Sequence, residues 1–150
     1  MSDYDTDLVV WSQHQSDLLR RMAAGERVND QVDWENVAEE IESLGRSDRR
    51  ELRSRVQTIL VHLIKLLASP AAEPRSGWLQ TVRRERTGVR VLIKDSPSLK
   101  PIIPALIDEE LPEARTNVSA DLADCGEQPA TDPATLTFTT DQVLGPWLPA

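Results

Sequence analysis

Glu35, Glu39 and Glu42 stand four and three residues apart, so on a helix their carboxylates share one face, with Glu40 about 100° round from them. Such a row could hold a divalent cation through hard oxygen ligands. Di-iron chemistry in a helical protein also needs Glu-x-x-His on two helices. Here Trp11 precedes His14 at that spacing and Ile59 precedes His62, so the pattern is absent. A solvated or arginine-paired face is the preferred reading of the glutamates, because carboxylates stay exposed unless paired. His62 interrupts an apolar run and needs a hydrogen-bond partner if it is buried. Glu39 or Glu40 could supply one, and with Arg53 these residues make the candidate polar cluster Glu39, Glu40, His62 and Arg53. The plainer reading is a satisfied core histidine that orders helix packing. Cys125 is the only cysteine, has no histidine near it in sequence, and is accompanied by no Gly-x-Ser-x-Gly elbow. With no P-loop or dinucleotide fingerprint either, the sequence names no catalytic, cofactor-binding or metal-ligating residue.

Two basic rows carry the rival chemistry. Arg46, Arg50 and Arg53 fall on one helix face, and Arg83, Arg86, Arg90 and Lys94 on another. Rows of this kind can line phosphates. Against nucleic acid stand the shortage of stacking aromatics, Trp78 being the one candidate, and flanking acidic segments able to neutralise the rows. Trp11, Trp34, Trp78 and Trp147 each sit at the start or end of an expected element. Their expected role is packing across helix junctions, with the indole N–H donating to a backbone or carboxylate oxygen; a ligand cage is the alternative.

The elements that must position these groups are helices. All ten prolines lie at Pro70 or later, so the chain before them can form uninterrupted helix. Leu8, Trp11, Leu18, Leu19 and Met22 repeat at helical spacing, with Asp5 or Thr6 as N-cap and Gly25 as stop. Asp33 caps a second helix through Trp34, Val37, Ile41 and Leu44, ended by Gly45. A third begins near Ser47 and ends before Pro70; its apolar half makes Arg50 to Ala68 the central helix. Ser76 caps a fourth, weakened at Gly88 by about 1 kcal/mol relative to alanine. A fifth follows Asp95-Ser96-Pro97-Ser98, is kinked or split at Pro112, and ends by Gly126. Residues 127–134 read as linker and Thr135 to Phe138 as a short strand. Thr139 and Gln142 have capping-box spacing for a terminal turn anchored by Trp147 and Leu148. The expected fold class is all-α: a single domain over residues 1–150, a bundle of about five helices, with 127–150 an extended tail ending in a short docked helix.

Charge is segregated along this order. Residues 1–45 carry 3 basic and 11 acidic groups, residues 46–94 carry 12 and 4, and residues 95–150 carry 2 and 10. The basic helices should therefore pack beside the acidic ones, although exposed pairs contribute only roughly 0–1 kcal/mol each. The formal net charge of −8 over 150 residues disfavours nonspecific binding to nucleic acid or anionic membrane. The single cysteine excludes an internal disulfide. No secretory signal opens the chain and no stretch reaches the length of a membrane span, so a cytoplasmic location is expected.

The run from Asp33 to Ser47, Asp-Trp-Glu-Asn-Val-Ala-Glu-Glu-Ile-Glu-Ser-Leu-Gly-Arg-Ser, resembles the hallmark of the bacterial domain-of-unknown-function family 29. In order along the chain, Tyr4-Asp5-Thr6-Asp7 with Trp11 and Gln15, His62-Leu63-Ile64-Lys65, Ser76-Gly77-Trp78, Asp95-Ser96-Pro97-Ser98-Leu99, and Thr140 to Leu144 with Trp147-Leu148-Pro149 are similar to that family's landmarks. The resemblance covers essentially the whole chain and implies a compact all-α bacterial protein with no catalytic residues to carry over. Pro104 and Pro112 depart from the family's more regular fifth helix. The leading expectation is thus a non-enzymatic, cytoplasmic protein-interaction module without a cofactor, binding a protein partner or a second copy of itself. The alternatives are a ligand-binding or enzymatic protein with a polar pocket around Glu39, Glu40 and His62, and nucleic-acid binding through the third and fourth helices.

Overall fold

The computed structural model describes residues 2–150, which form helices and turns and contain no strand. The chain divides into two compact units, Met1–Ser47 and Asp48–Ala150. Both draw on one long helix.

In the first unit, α1 (Asp3–Thr6) closes a turn of its own, so the cap of α2 (Leu8–Ala23) moves from the expected Asp5 or Thr6 to Asp7. The Asp7 carboxylate accepts from the Val10 N–H at 3.0 Å, satisfying a donor that has no partner within the helix. Arg20 and Arg21 occupy the last turn of α2, where cations meet the negative end of the helix dipole. Gly25, at φ 94°, then stops the helix in a conformation that side chains resist. A 3-10 turn at Asn29–Gln31 leads into α3 (Trp34–Ala68). Leu18, Val28 and Val32 are buried together, with Met22 and Val37 packed on them.

The expected second and third helices are one. The backbone runs on through Gly45, and Arg46 reaches back to Glu39 at 2.6 Å and Glu42 at 3.6 Å, bridging the glycine. A glycine inside a helix costs about 1 kcal/mol, too little to break a 35-residue helix.

In the second unit, Leu52, Val56, Ile59, Leu60, Leu63 and Ile64 of α3 are fully buried. They pack with α4 (Arg75–Asp95), α5 (Ile103–Asp124) and α6 (Thr140–Leu144), through Val82, Val89, Ile103, Val118 and Val143 among others. The α4 helix starts two residues earlier than a Ser76 cap would place it, with Pro74 as its cap. Pro97–Ile102 is a 3-10 run holding Pro101, and Pro104 sits in the first turn of α5, where a missing N–H costs nothing. Pro112 does not split α5. Pro112 and Asp108, whose carbonyl it leaves without a helical donor, both lie at the surface, and water can take that bond. Gly126, at φ 68°, ends the region as expected. The expected strand at Thr135 to Phe138 is replaced by a 3-10 turn, Pro133–Thr135, and extended chain. The capping box forms: Thr139 Oγ1 accepts from the Gln142 N–H, and Gln142 Oε1 from the Thr139 N–H.

Candidate functional site

The four residues of the expected polar cluster all lie on α3, and each is engaged with a partner outside the cluster. Glu39 is exposed and paired with Arg46. Glu40 accepts a hydrogen bond from the Tyr4 hydroxyl at 2.7 Å, and this bond is the first cause of the raised Tyr4 pKa. Tyr4 in turn stacks edge-on against Trp11, with centroids 4.8 Å apart. Arg53 donates to Glu110 at 2.6 Å and Glu109 at 3.0 Å, both on α5. Glu110 and then Glu109 hold Arg53 further toward its charged form. His62 is half-buried, and its Nδ1 lies 2.8 Å from the Thr58 carbonyl oxygen. A carbonyl only accepts, so Nδ1 carries the proton. Burial pushes the His62 pKa down. Among the described residues no hydrogen bond or ion pair joins any two of the four.

Around Asp33 the family-like run builds a tight polar junction within the first unit. The Trp11 indole donates to the Asp33 carboxylate at 3.1 Å, Asn36 Nδ2 donates to it at 2.8 Å, and Gln15 Oε1 accepts from the Asp33 N–H at 2.8 Å. The Asn36 side chain is the main reason the Asp33 pKa is lowered. Trp34 donates to the Asn29 carbonyl at 2.8 Å. Two of the four tryptophans therefore use their indole N–H as the sequence suggested, one on a carboxylate and one on the backbone.

The basic rows behave differently from each other. Of the α3 row, Arg46 pairs with Glu39 and Glu42 and Arg53 with Glu109 and Glu110, while Arg50 meets no carboxylate within ion-pair distance among the described residues. On α4, Arg86 turns inward and is buried against the C-terminal segment, donating to the carbonyl oxygens of Val143, Gln142 and Trp147. A basic row read from spacing alone gives no sign that one member is a buried fastening.

A concavity of about 290 Å³ was not foreseen; it is lined by Lys65, Ser69, Trp78, Asp121, Cys125 and Glu127 among others. Lys65 Nζ lies 3.2 Å from Asp121 and 6.0 Å from the Trp78 ring centroid, and Ser69 Oγ donates to Glu127 at 2.9 Å. Cys125 is free and exposed. No histidine lines the concavity and its lysine is committed to a carboxylate, so the thiol has no base to activate it. The one advance sign was Lys65, a charge interrupting the apolar half of α3. Among the described residues no three His, Cys, Asp or Glu side chains converge as a metal site requires.

A family model described as "Domain of unknown function DUF29" matches residues 4–148. Among solved structures, the chain is similar to an alpha-helical protein of unknown function from Rhodospirillum rubrum. The two are 30% identical, with 97% of this chain and 91% of that one covered and a TM-score of 0.50. No curated protein matches. Among the described residues no helix is long and apolar enough to cross a membrane.

Proposed function

The chain belongs to the family described as Domain of unknown function DUF29, and from that premise we propose a non-enzymatic protein-interaction module of the bacterial cytoplasm. Its bacterial setting is supported by the Rhodospirillum rubrum relative, and a reducing compartment suits the exposed free thiol of Cys125.

One observation carries the interaction reading. Trp34, Val37, Ile41 and Leu44 form a helical stripe, yet only Val37 packs on the core of its unit. Trp34 is 51% exposed, Ile41 63% and Leu44 71%. Neighbouring large apolar side chains left in water mark a surface that a partner covers. The flanking groups choose the partner. Residues 1–47 hold 11 acidic and 4 basic groups, so a second copy would bring like charges together, whereas an amphipathic helix with basic flanks would find complementary charge around an apolar seam. The polar-pocket reading has less support, because Glu39, Glu40, Arg53 and His62 each have a polar atom engaged with a partner outside the cluster.

The test places a photoreactive side chain at Ile41, identifies the crosslinked protein in the source bacterium, and titrates that protein's basic amphipathic segment as a synthetic peptide. Binding weakened at least tenfold by Ile41→Asp and Leu44→Asp, with helicity unchanged, supports the reading. Equal binding to the variants overturns it, as does a concentration-dependent homodimer abolished by the same substitutions.

A further inference from the structure

Of the ten arginines in the second unit, three are ion-paired among the described residues and seven are not, Arg49, Arg50, Arg75 and Arg115 being among the seven. Arg53, Arg55 and Arg84 each meet a carboxylate. Arg83, Arg86 and Arg90 have none within ion-pair distance among the described residues. These three stand at i, i+3 and i+7 on α4 and so share a face. All three line one concavity of about 380 Å³, whose other side is formed by Leu144, Gly145, Pro146 and Leu148.

Arg86 is the buried member of this lining. Its side chain is held by three carbonyl oxygens through Nε and Nη2, which leaves Nη1 without a hydrogen bond among the described residues. Arg90 is aimed by Thr87, whose Oγ1 accepts from Nη2 at 2.9 Å. Burial, and then the neighbouring charges of Arg90 and Arg83, push the Arg86 pKa down. An anion at this point would relieve both.

We propose that this concavity binds a small phosphorylated molecule, its phosphate held among Arg83, Arg86 and Arg90 and its organic part resting on Leu144, Pro146 and Leu148. The guanidinium groups of Arg83 and Arg90 with the spare Nη1 of Arg86, set at different positions along α4, offer more donors than a planar carboxylate can use and suit a tetrahedral dianion. The volume is that of a small-ligand pocket, and no aromatic side chain lines it for stacking a nucleic-acid strand. This site is independent of the α3 stripe and stands or falls separately.

Inorganic phosphate, pyrophosphate and a simple phosphomonoester, glycerol phosphate, are titrated calorimetrically into the full chain at low salt. Wild type is compared with Arg83→Gln and Arg90→Gln, both exposed positions. The amide resonances of Thr87 and Gly145 serve as local reporters. Glycerol phosphate is expected to bind with those two resonances shifting, at least tenfold more weakly in each variant, and more tightly than inorganic phosphate. The proposal is overturned by absent binding, by binding that the variants leave unchanged, by shifts elsewhere alone, or by glycerol phosphate binding no more tightly than inorganic phosphate. It is equally overturned if a ten-residue single-stranded oligonucleotide competes better than any of the three small anions, since the surface would then be reading a polymer.

Discussion

The buried guanidinium of Arg86 donates through Nε to the carbonyl oxygen of Val143, 2.8 Å away, and so ties the middle of α4 to the last helical turn of the chain. Nη2 extends the tie to Gln142 and Trp147. Replacement by lysine keeps the charge but loses the planar fork that reaches three oxygens at once. Arg86→Met is expected to destabilise the second unit by about 2–4 kcal/mol, since hydrogen bonds to charged groups contribute roughly 1.5–3 kcal/mol each and relief of the buried charge offsets part of the loss. Urea unfolding measures it, and Arg86→Lys should fall between Arg86→Met and wild type. A loss under about 0.5 kcal/mol, the level of an ordinary surface change, would mean that apolar anchoring alone holds the terminus.

Gly145 follows α6 at φ −77° and ψ −176°, a conformation open to any residue. Its need for glycine is steric: a Cβ built there meets the Asp141 carbonyl oxygen at 2.5 Å. Gly145→Ala is therefore expected to cost about 1–3 kcal/mol, the range for forced overpacking, and to speed amide exchange at Val143 and Gly145. Gly25→Ala is the control, with φ 94° and open space around it. It should cost about 1–2 kcal/mol from backbone strain alone and leave α6 exchange unchanged. Equal exchange at Val143 in both variants would remove the steric explanation.

The helical character of the chain was legible because apolar spacing from Leu8 to Leu122 follows a helix period, and the Thr139–Gln142 box and the stops at Gly25 and Gly126 rest on local chemistry that no distant contact overrides. Gly45 as a helix stop and Pro112 as a split in α5 misled for a shared reason. Each carries a modest local penalty, and ion pairs across Gly45 and surface exposure at Pro112 are enough to absorb it. The candidate cluster was legible only as a list. Glu39, Glu40, Arg53 and His62 are all polar residues of α3, but which oxygen or nitrogen each meets depends on Arg46, Tyr4, Glu110 and Thr58, and three of those choices are made by tertiary packing or side-chain reach. Arg86 shows the same limit from the other side, since nothing in its spacing distinguishes it from Arg83 and Arg90.

Gly88 on α4 lies under the guanidinium of Arg55, which bonds Glu51 and Glu85. Alanine at 88 gains about 1 kcal/mol of helix propensity, but its Cβ occupies the space of that guanidinium, and the largely buried Glu85 then loses a partner. In wild type, Gly88→Ala is expected to yield little or no stabilisation. In an Arg55→Ala background, where the crowding is gone, the same change should yield the full gain of about 1 kcal/mol. A double-mutant cycle by equilibrium unfolding reads the difference, and equal effects in the two backgrounds would show that Arg55 moves aside without loss.

Acid should weaken the two units in separate windows. Burial lowers the pKa of His62 below its ordinary 6.5, so as pH falls the unfolded chain takes up this proton before the folded one does. Stability from neutral His62 is complete above 6.5 and declines from there down through the lowered folded value. Asp33, held down chiefly by the Asn36 side chain, with the Trp11 indole adding to it, behaves likewise below its ordinary 3.8: its contribution is present above that value and lost as pH falls through the folded pKa. His62→Gln should flatten the upper window and leave the lower one, as followed by amide exchange in α5. Asp33→Asn should flatten the lower window as followed by the fluorescence of Trp11, leaving the upper. The assignment fails if His62→Gln leaves the decline below pH 6.5 unchanged, because the slope would then not come from the imidazole.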